Sequence, residues 1–210
     1  MCRYLAFLIL TVAIVSPGSS AKTHLHPRLK LKQKTVRRVA FIPPTAEMRI
    51  KRLKGANVDE SESATLASGI AVVVSDALRM RGWEVDDNVF SDKTLLGKEN
   101  LKNLVNNLRA RHETLVREMA HRSKDVNQGR YSLGPEIAAL KTETTADVLV
   151  FVHGTAIRFP LGGILLSPPV LHITLIDPDN GEVLCYTMVS GARFNSALEK
   201  KIAKELREVP

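Results

Sequence analysis

Three apolar runs in the C-terminal third constrain the fold most. Asp147 to Ile157 (DVLVFVHGTAI) is apolar on both faces at its start, the pattern of a strand covered from both sides. Val170 to Ile176 (VLHITLI) and Glu182 to Ser190 (EVLCYTMVS) read as the next two strands. Between them, Asp177-Pro178-Asp179-Asn180-Gly181 is hairpin chemistry, because proline presets a turn and Asn-Gly accepts positive φ. A sheet that is apolar on both faces needs helices on both, so the remaining chain must supply them.

It does so in a clear order. Val36 to Ile42 (VRRVAFI) reads as a first strand, stopped by Pro43 and Pro44, which cannot donate to a sheet ladder. Residues 45–60 read as a polar, basic loop. A helix is expected from Ser61 to Arg81, with Ser61 or Ser63 as caps, an apolar stripe of Leu66, Ile70, Val73, Val74, Ala77 and Leu78, and Gly82 as terminator. Trp83 to Asp87 is a short strand. Leu101, Leu104, Val105, Leu108, Leu115, Val116 and Met119 recur at helical spacing between Lys98 and His121. Gly134-Pro135 opens a short helix to Lys141, and a last helix runs from Asn195 to Glu208. The expected class is α/β (α+β), a mixed sheet of about five strands in the order β-α-β-α-α-β-β-β-α. It occupies residues 36–210 as one domain.

The N-terminus carries an address. Arg3, the apolar run Tyr4 to Val15 and the small residues of SPGSSA have the form of an export signal, with Ser19 and Ala21 preceding the cleavage point. Twelve apolar residues fall short of the roughly 20 that span a bilayer as a helix. Residues 1–21 are therefore read as a signal peptide and 22–35 as a flexible basic arm. Cys2 belongs to the signal, so the mature chain would keep Cys185 alone and no internal disulfide. Lys22 stands near where a lipid-modified cysteine would be, so no lipid anchor is expected.

Charge is uneven along the chain. Residues 22–54 hold 11 basic side chains and one acid, Glu47, whereas residues from Gly55 onward hold 18 basic and 21 acidic ones. The block including Lys30, Lys32, Lys34, Arg37 and Arg38 suits an acidic partner or an anionic membrane surface, and export argues against nucleic acid.

The segments VAFIPP, LASGIAVVVSDALRMRGWEV, TADVLVFVHGTA and LHITLIDPDNGEVLCYTMVSG resemble a group of bacterial envelope proteins. These are the curli-secretion lipoprotein, the N-terminal domain of the Tol-system propeller protein and the lipoprotein activators of penicillin-binding proteins. The matching punctuation is Pro43, Gly82, Ala146, Asp147, Asp177 and Gly181. The resemblance implies the mixed-sheet fold and a role in binding other envelope components. The chain departs from the group in lacking a lipobox cysteine and the apolar insertions of the curli pore.

Catalytic motifs are weaker. VLVFVHG around His153 looks like an oxyanion-loop strand, but the nucleophile elbow it would serve is missing, so His153 reads as a buried strand histidine. His24 and His26 are too few for a metal site, His112 and His121 are spaced nine apart and read as surface residues, and Asp177 to Asn180 lacks the rest of a calcium loop. Cys185 reads as a small core residue. No cofactor or metal is expected. Phe159 to Val170 (FPLGGILLSPPV) is a long apolar connection, and Leu161, Ile164, Leu165 and Leu166 make it a candidate contact surface. The expected function is an exported, non-enzymatic binding or assembly module of the cell envelope, acting through this loop and the basic arm. The competing reading is a hydrolase or transferase with a site near His153.

Overall fold

The computed structural model describes residues 23–52, 55–158, 165–191 and 194–210. The signal segment, Leu161 and Ile164 lie outside them. In chain order the elements are β1 (Thr23–Leu25), α1 (Pro27–Lys30), β2 (Arg38–Phe41), β3 (Thr45–Arg52), β4 (Gly55–Val58), α2 (Glu60–Met80), β5 (Glu84–Asp86), α3 (Asp92–Leu95), α4 (Glu99–Arg122), β6 (Val148–Arg158), β7 (Leu165–Ile176), β8 (Val183–Ser190) and α5 (Ser196–Glu205). Short 3-10 turns cover Ser123–Gln128, Pro135–Thr142 and Leu206–Glu208.

The sheet is mixed, as the run of strands and helices implies, with the order β1-β8-β7-β6-β2-β5. β2 runs parallel to both β5 and β6, while β6, β7, β8 and β1 are successively antiparallel. Strand β6 is longer than β2 and takes two partners on one edge: β2 beside Val148–Val150 and β3 beside His153–Arg158. The break between β2 and β3 falls at Pro43-Pro44, where the chain has no N–H to donate.

Alternation along β6 sorts the core into two layers. Val148, Val150, Val152 and Ala156 face the layer of α2 and α5, with Leu66, Ile70, Val74 and Ile202; Leu149 and Phe151 face the layer of α4, with Val105, Leu108, Val116 and Met119. α2 begins at Asp59, whose carboxylate accepts the Glu62 N–H at 3.0 Å. The expected caps are corrected: Ser61 lies inside the helix, and Ser63 Oγ bonds the Met48 N–H instead. Gly82 ends the helix turn at φ 90°, in the left-handed region. Gly154 lets α2 approach β6, since a Cβ there would overlap Ile70 Cδ1.

The sheet has eight strands where five are expected, and the three extra ones lie in segments read as arm and loop. Residues 23–35 are no free arm. Thr23–Leu25 pairs with β8, Leu25 and Leu29 are buried, and the Val36 N–H reaches the Pro210 carbonyl at 2.9 Å. Thr45–Arg52 and Gly55–Val58 are no loop but an antiparallel strand pair, because the upper half of β6 needs a partner past the two prolines. The connection read as 159–170 is shorter, since β7 already starts at Leu165. Its register shifts opposite Thr155 to Ile157, where Pro168 and Pro169 sit in the strand.

Candidate functional site

All six histidines of the chain fall within the described residues, and four of them, His24, His112, His153 and His172, are built into the α4 layer of the sheet. His153 and His172 are register partners on β6 and β7, with ring centroids 6.4 Å apart. His172 Nδ1 meets the Tyr186 hydroxyl at 2.8 Å, the two rings stacking at 6.0 Å, and Tyr186 stacks in turn against His24 at 6.5 Å. A row of imidazole, imidazole, phenol and imidazole thus crosses β6, β7, β8 and β1. From above, α4 lowers His112 onto it, with Nε2 bonded to Thr174 Oγ1 at 2.9 Å and the ring 5.3 Å from Phe151.

Burial sets the charge of this row. His112 is pushed down to about 3, first by desolvation and then by the nearby His153 and His172, and His172 is pushed down to about 4 by desolvation and His153. His153 is lowered by desolvation against the opposing pull of Glu113 and Glu47. The Tyr186 phenol is raised by burial. At neutral pH His112, His153, His172 and Tyr186 are therefore uncharged.

Beside the row, α4 and the sheet diverge to leave a cleft of about 500 Å³. Its helix wall is Val116, Arg117, Ala120 and His121; its sheet wall is Glu47 and Arg49 from β3, His153, Thr155 and Ile157 from β6, and Val170 and His172 from β7. Arg49 is held by Glu47 at 2.5 Å. Arg117 is exposed and makes no hydrogen bond or ion pair among the described residues.

The cleft does not have relay geometry. Thr45 Oγ1 lies 2.8 Å from His153 Nδ1, and the Glu113 carboxylate lies 4.0 Å from the same nitrogen. A hydroxyl activated through an imidazole needs the hydroxyl on one ring nitrogen and the carboxylate on the other. Cys185 is buried in the opposite layer, with its thiol pushed up by desolvation. Among the described residues, no group of three or more His, Cys, Asp or Glu is placed to hold a metal ion.

The expected contact residues are dispersed. Lys34 is drawn inward to Asp177 at 2.7 Å, next to Arg28, which reaches the same carboxylate at 2.8 Å and Glu182 at 3.1 Å. Arg38 pairs with Glu84 on β5 at 3.0 Å, at a different strand of the sheet. Lys30, Lys32 and Arg37 are exposed. Leu165 and Leu166 are the first two residues of β7 rather than loop. His153 is buried in its strand as expected, and Cys185 is a core residue as expected. His112, expected at the surface, is fully buried: it lies four residues after Leu108 and three before Leu115, on the apolar stripe of α4 itself. His24 and His26, expected in a flexible arm, are also buried.

No family model and no curated protein matches the chain. Among solved structures, the PelC dodecamer from Paraburkholderia phytofirmans is similar at a TM-score of 0.43 and 14% identity, covering 90% of this chain and 96% of that one. A leucine-to-methionine variant of that dodecamer, in another crystal form, gives 0.39 and 13% with the same coverage. Neither is a curli, Tol or activator protein, and likeness at this level says nothing about the site.

Proposed function

We propose that this chain is an exported, non-enzymatic binding module of the bacterial envelope, and that the cleft between α4 and the β3-β6-β7 surface is its principal contact site. The observation that carries this reading is the way the two imidazoles of the cleft floor, His153 and His172, are held. Each has one ring nitrogen fixed by a hydroxyl, Thr45 for His153 and Tyr186 for His172, and burial keeps both neutral. Such groups are rigid donors and acceptors for a bound partner, whereas a hydrolytic base would need its carboxylate on the nitrogen away from the hydroxyl. The export address is supported by the signal pattern of residues 1–21 and by the envelope resemblance. Lys30, Lys32 and Arg37, exposed and uncommitted, supply a secondary attraction to anionic surfaces.

The test is site-specific photo-crosslinking in the native host. A crosslinker at His121, on the cleft rim, should give an adduct in the envelope fraction that one at Lys200 on α5 does not. A cytosolic protein, or equal adducts from both positions, would refute the reading.

A further inference from the structure

Resting on that reading, we infer that the cleft takes a ligand bearing a carboxylate beside one or more hydroxyls. The charges that face it are Glu47, Arg49, Arg117, His121, His153 and His172, with Glu113 behind His153. Glu47 and Arg49 neutralise each other. Glu113 lies one helical turn from Arg117, but no ion pair joins them within 4.0 Å. The guanidinium of Arg117 is therefore the one strong cationic donor of the wall left without a partner among the described residues, and its planar fork matches a carboxylate through two parallel hydrogen bonds.

The floor adds the second half of the recognition. His153 and His172 each use Nδ1 on the protein, and their Nε2 atoms carry no hydrogen bond among the described residues. Both residues line the cleft, and their rings are 6.4 Å apart, a spacing that offers two polar contacts to one small ligand. With Thr155 they form a neutral, directional set suited to hydroxyl groups. Val116, Ala120, Ile157 and Val170 give the apolar walls on which a carbon ring or chain can lie, and about 500 Å³ falls in the range of small-ligand sites. A cationic ligand would meet Arg117.

Two sources carry this chemistry, an acidic sugar and a small hydroxy acid. The experiment is amide-detected NMR titration of the mature protein with D-glucuronate, D-lactate, D-glucose and D-glucosamine. Glucuronate should move the amides of residues 116–121 and 153–157 and bind at least about tenfold tighter than glucose or glucosamine, a difference of about 1.4 kcal/mol. Lactate binding as well as glucuronate supports the inference and assigns the hydroxy-acid head; weaker lactate binding assigns the sugar. Arg117→Ala, at an exposed position that folding does not depend on, should abolish the preference for the carboxylate. Glucose binding as tightly as glucuronate, or an unchanged preference in Arg117→Ala, overturns the ligand class while leaving the cleft as a contact site. Silence toward every probe with crosslinking retained at His121 overturns this inference alone, and loss of both removes the parent reading too.

Discussion

Acid should unfold this protein through its buried histidines, in an amount that can be worked out beforehand. His112 is buried and pushed down to about 3, and His172 to about 4, whereas both titrate near 6.5 in an unfolded chain. Below 6.5 the unfolded state takes up protons that the folded state refuses, so stability falls with falling pH. The loss stops for each residue only at its folded value. One pH unit is worth about 1.4 kcal/mol per histidine, so moving from pH 7 to pH 5 removes about 2 kcal/mol for each and about 4 for the pair. That is a large part of the roughly 5–15 kcal/mol that stabilises a domain. The assay is urea unfolding at the two pH values, compared between the wild type and His112→Gln. The substitution has its own cost, but that cost is the same at both pH values. The difference between the two pH dependences isolates His112, and about 2 kcal/mol of the wild-type loss should vanish. His172→Gln provides the same test at the second site. Equal pH dependences in wild type and both variants would refute the idea that these rings are held neutral by burial.

Asp177→Ala should cost about 1–3 kcal/mol and raise amide exchange across residues 27–36, because it removes the fully buried carboxylate that Arg28 and Lys34 share, while Arg28 keeps Glu182. Gly154→Ala should cost about 1–3 kcal/mol by pressing on Ile70, and adding Ile70→Val should recover part of that in a double-mutant cycle. Gly82→Val should cost on the order of 1–2 kcal/mol from backbone strain alone, since a side chain there meets nothing within 4 Å; an unchanged melting temperature would contradict the φ of 90°. Mass spectrometry of the protein from its native host should find an N-terminus near Lys22, and retention of Met1 in the envelope fraction would exclude a cleaved signal.

What could be read in advance follows from how local the cause is. The periodicities of α2 and α4, the glycine at 82 and the Asp177-to-Gly181 turn are set by neighbouring residues, and the structure has them within a residue or two of their expected bounds. β3 was legible too: Ala46, Met48 and Ile50 alternate with Glu47, Arg49 and Lys51, but the basic residues and the preceding prolines give the segment the look of a loop. β1 was not, since three residues carry no period and their pairing with β8 spans most of the chain. The same division holds for the site. His112 could have been placed inside from its position on the helical stripe. The meeting of His153 with His172 depends on the register of β6 against β7, across a connection whose length and prolines hide it.

The uneven charge has a structural meaning that composition alone conceals. A basic N-terminal third joined to a slightly acidic body suggests a tether, yet the two parts answer each other. Arg28 and Lys34 meet Asp177, Arg28 meets Glu182, and Arg38 meets Glu84, so basic residues of the N-terminal third are matched by acids of the body. Two of these contacts end on the same carboxylate, that of Asp177, which has no exposure and would be left as an uncompensated buried charge if both cations were removed. The Arg38 pair is exposed and contributes little. The asymmetry therefore acts first on folding, by fixing residues 26–36 against the β7-β8 turn and so holding β1 on the sheet edge. Among the described residues of that third, Lys30, Lys32, Arg37 and Lys51 are exposed and without an ion pair, and under the proposed reading each would add about 1 kcal/mol of attraction near an anionic membrane. So few exposed charges would supplement binding rather than define it, and the proposed reading therefore rests its specificity on the cleft, where the unpaired Arg117 guanidinium stands beside two neutral imidazoles.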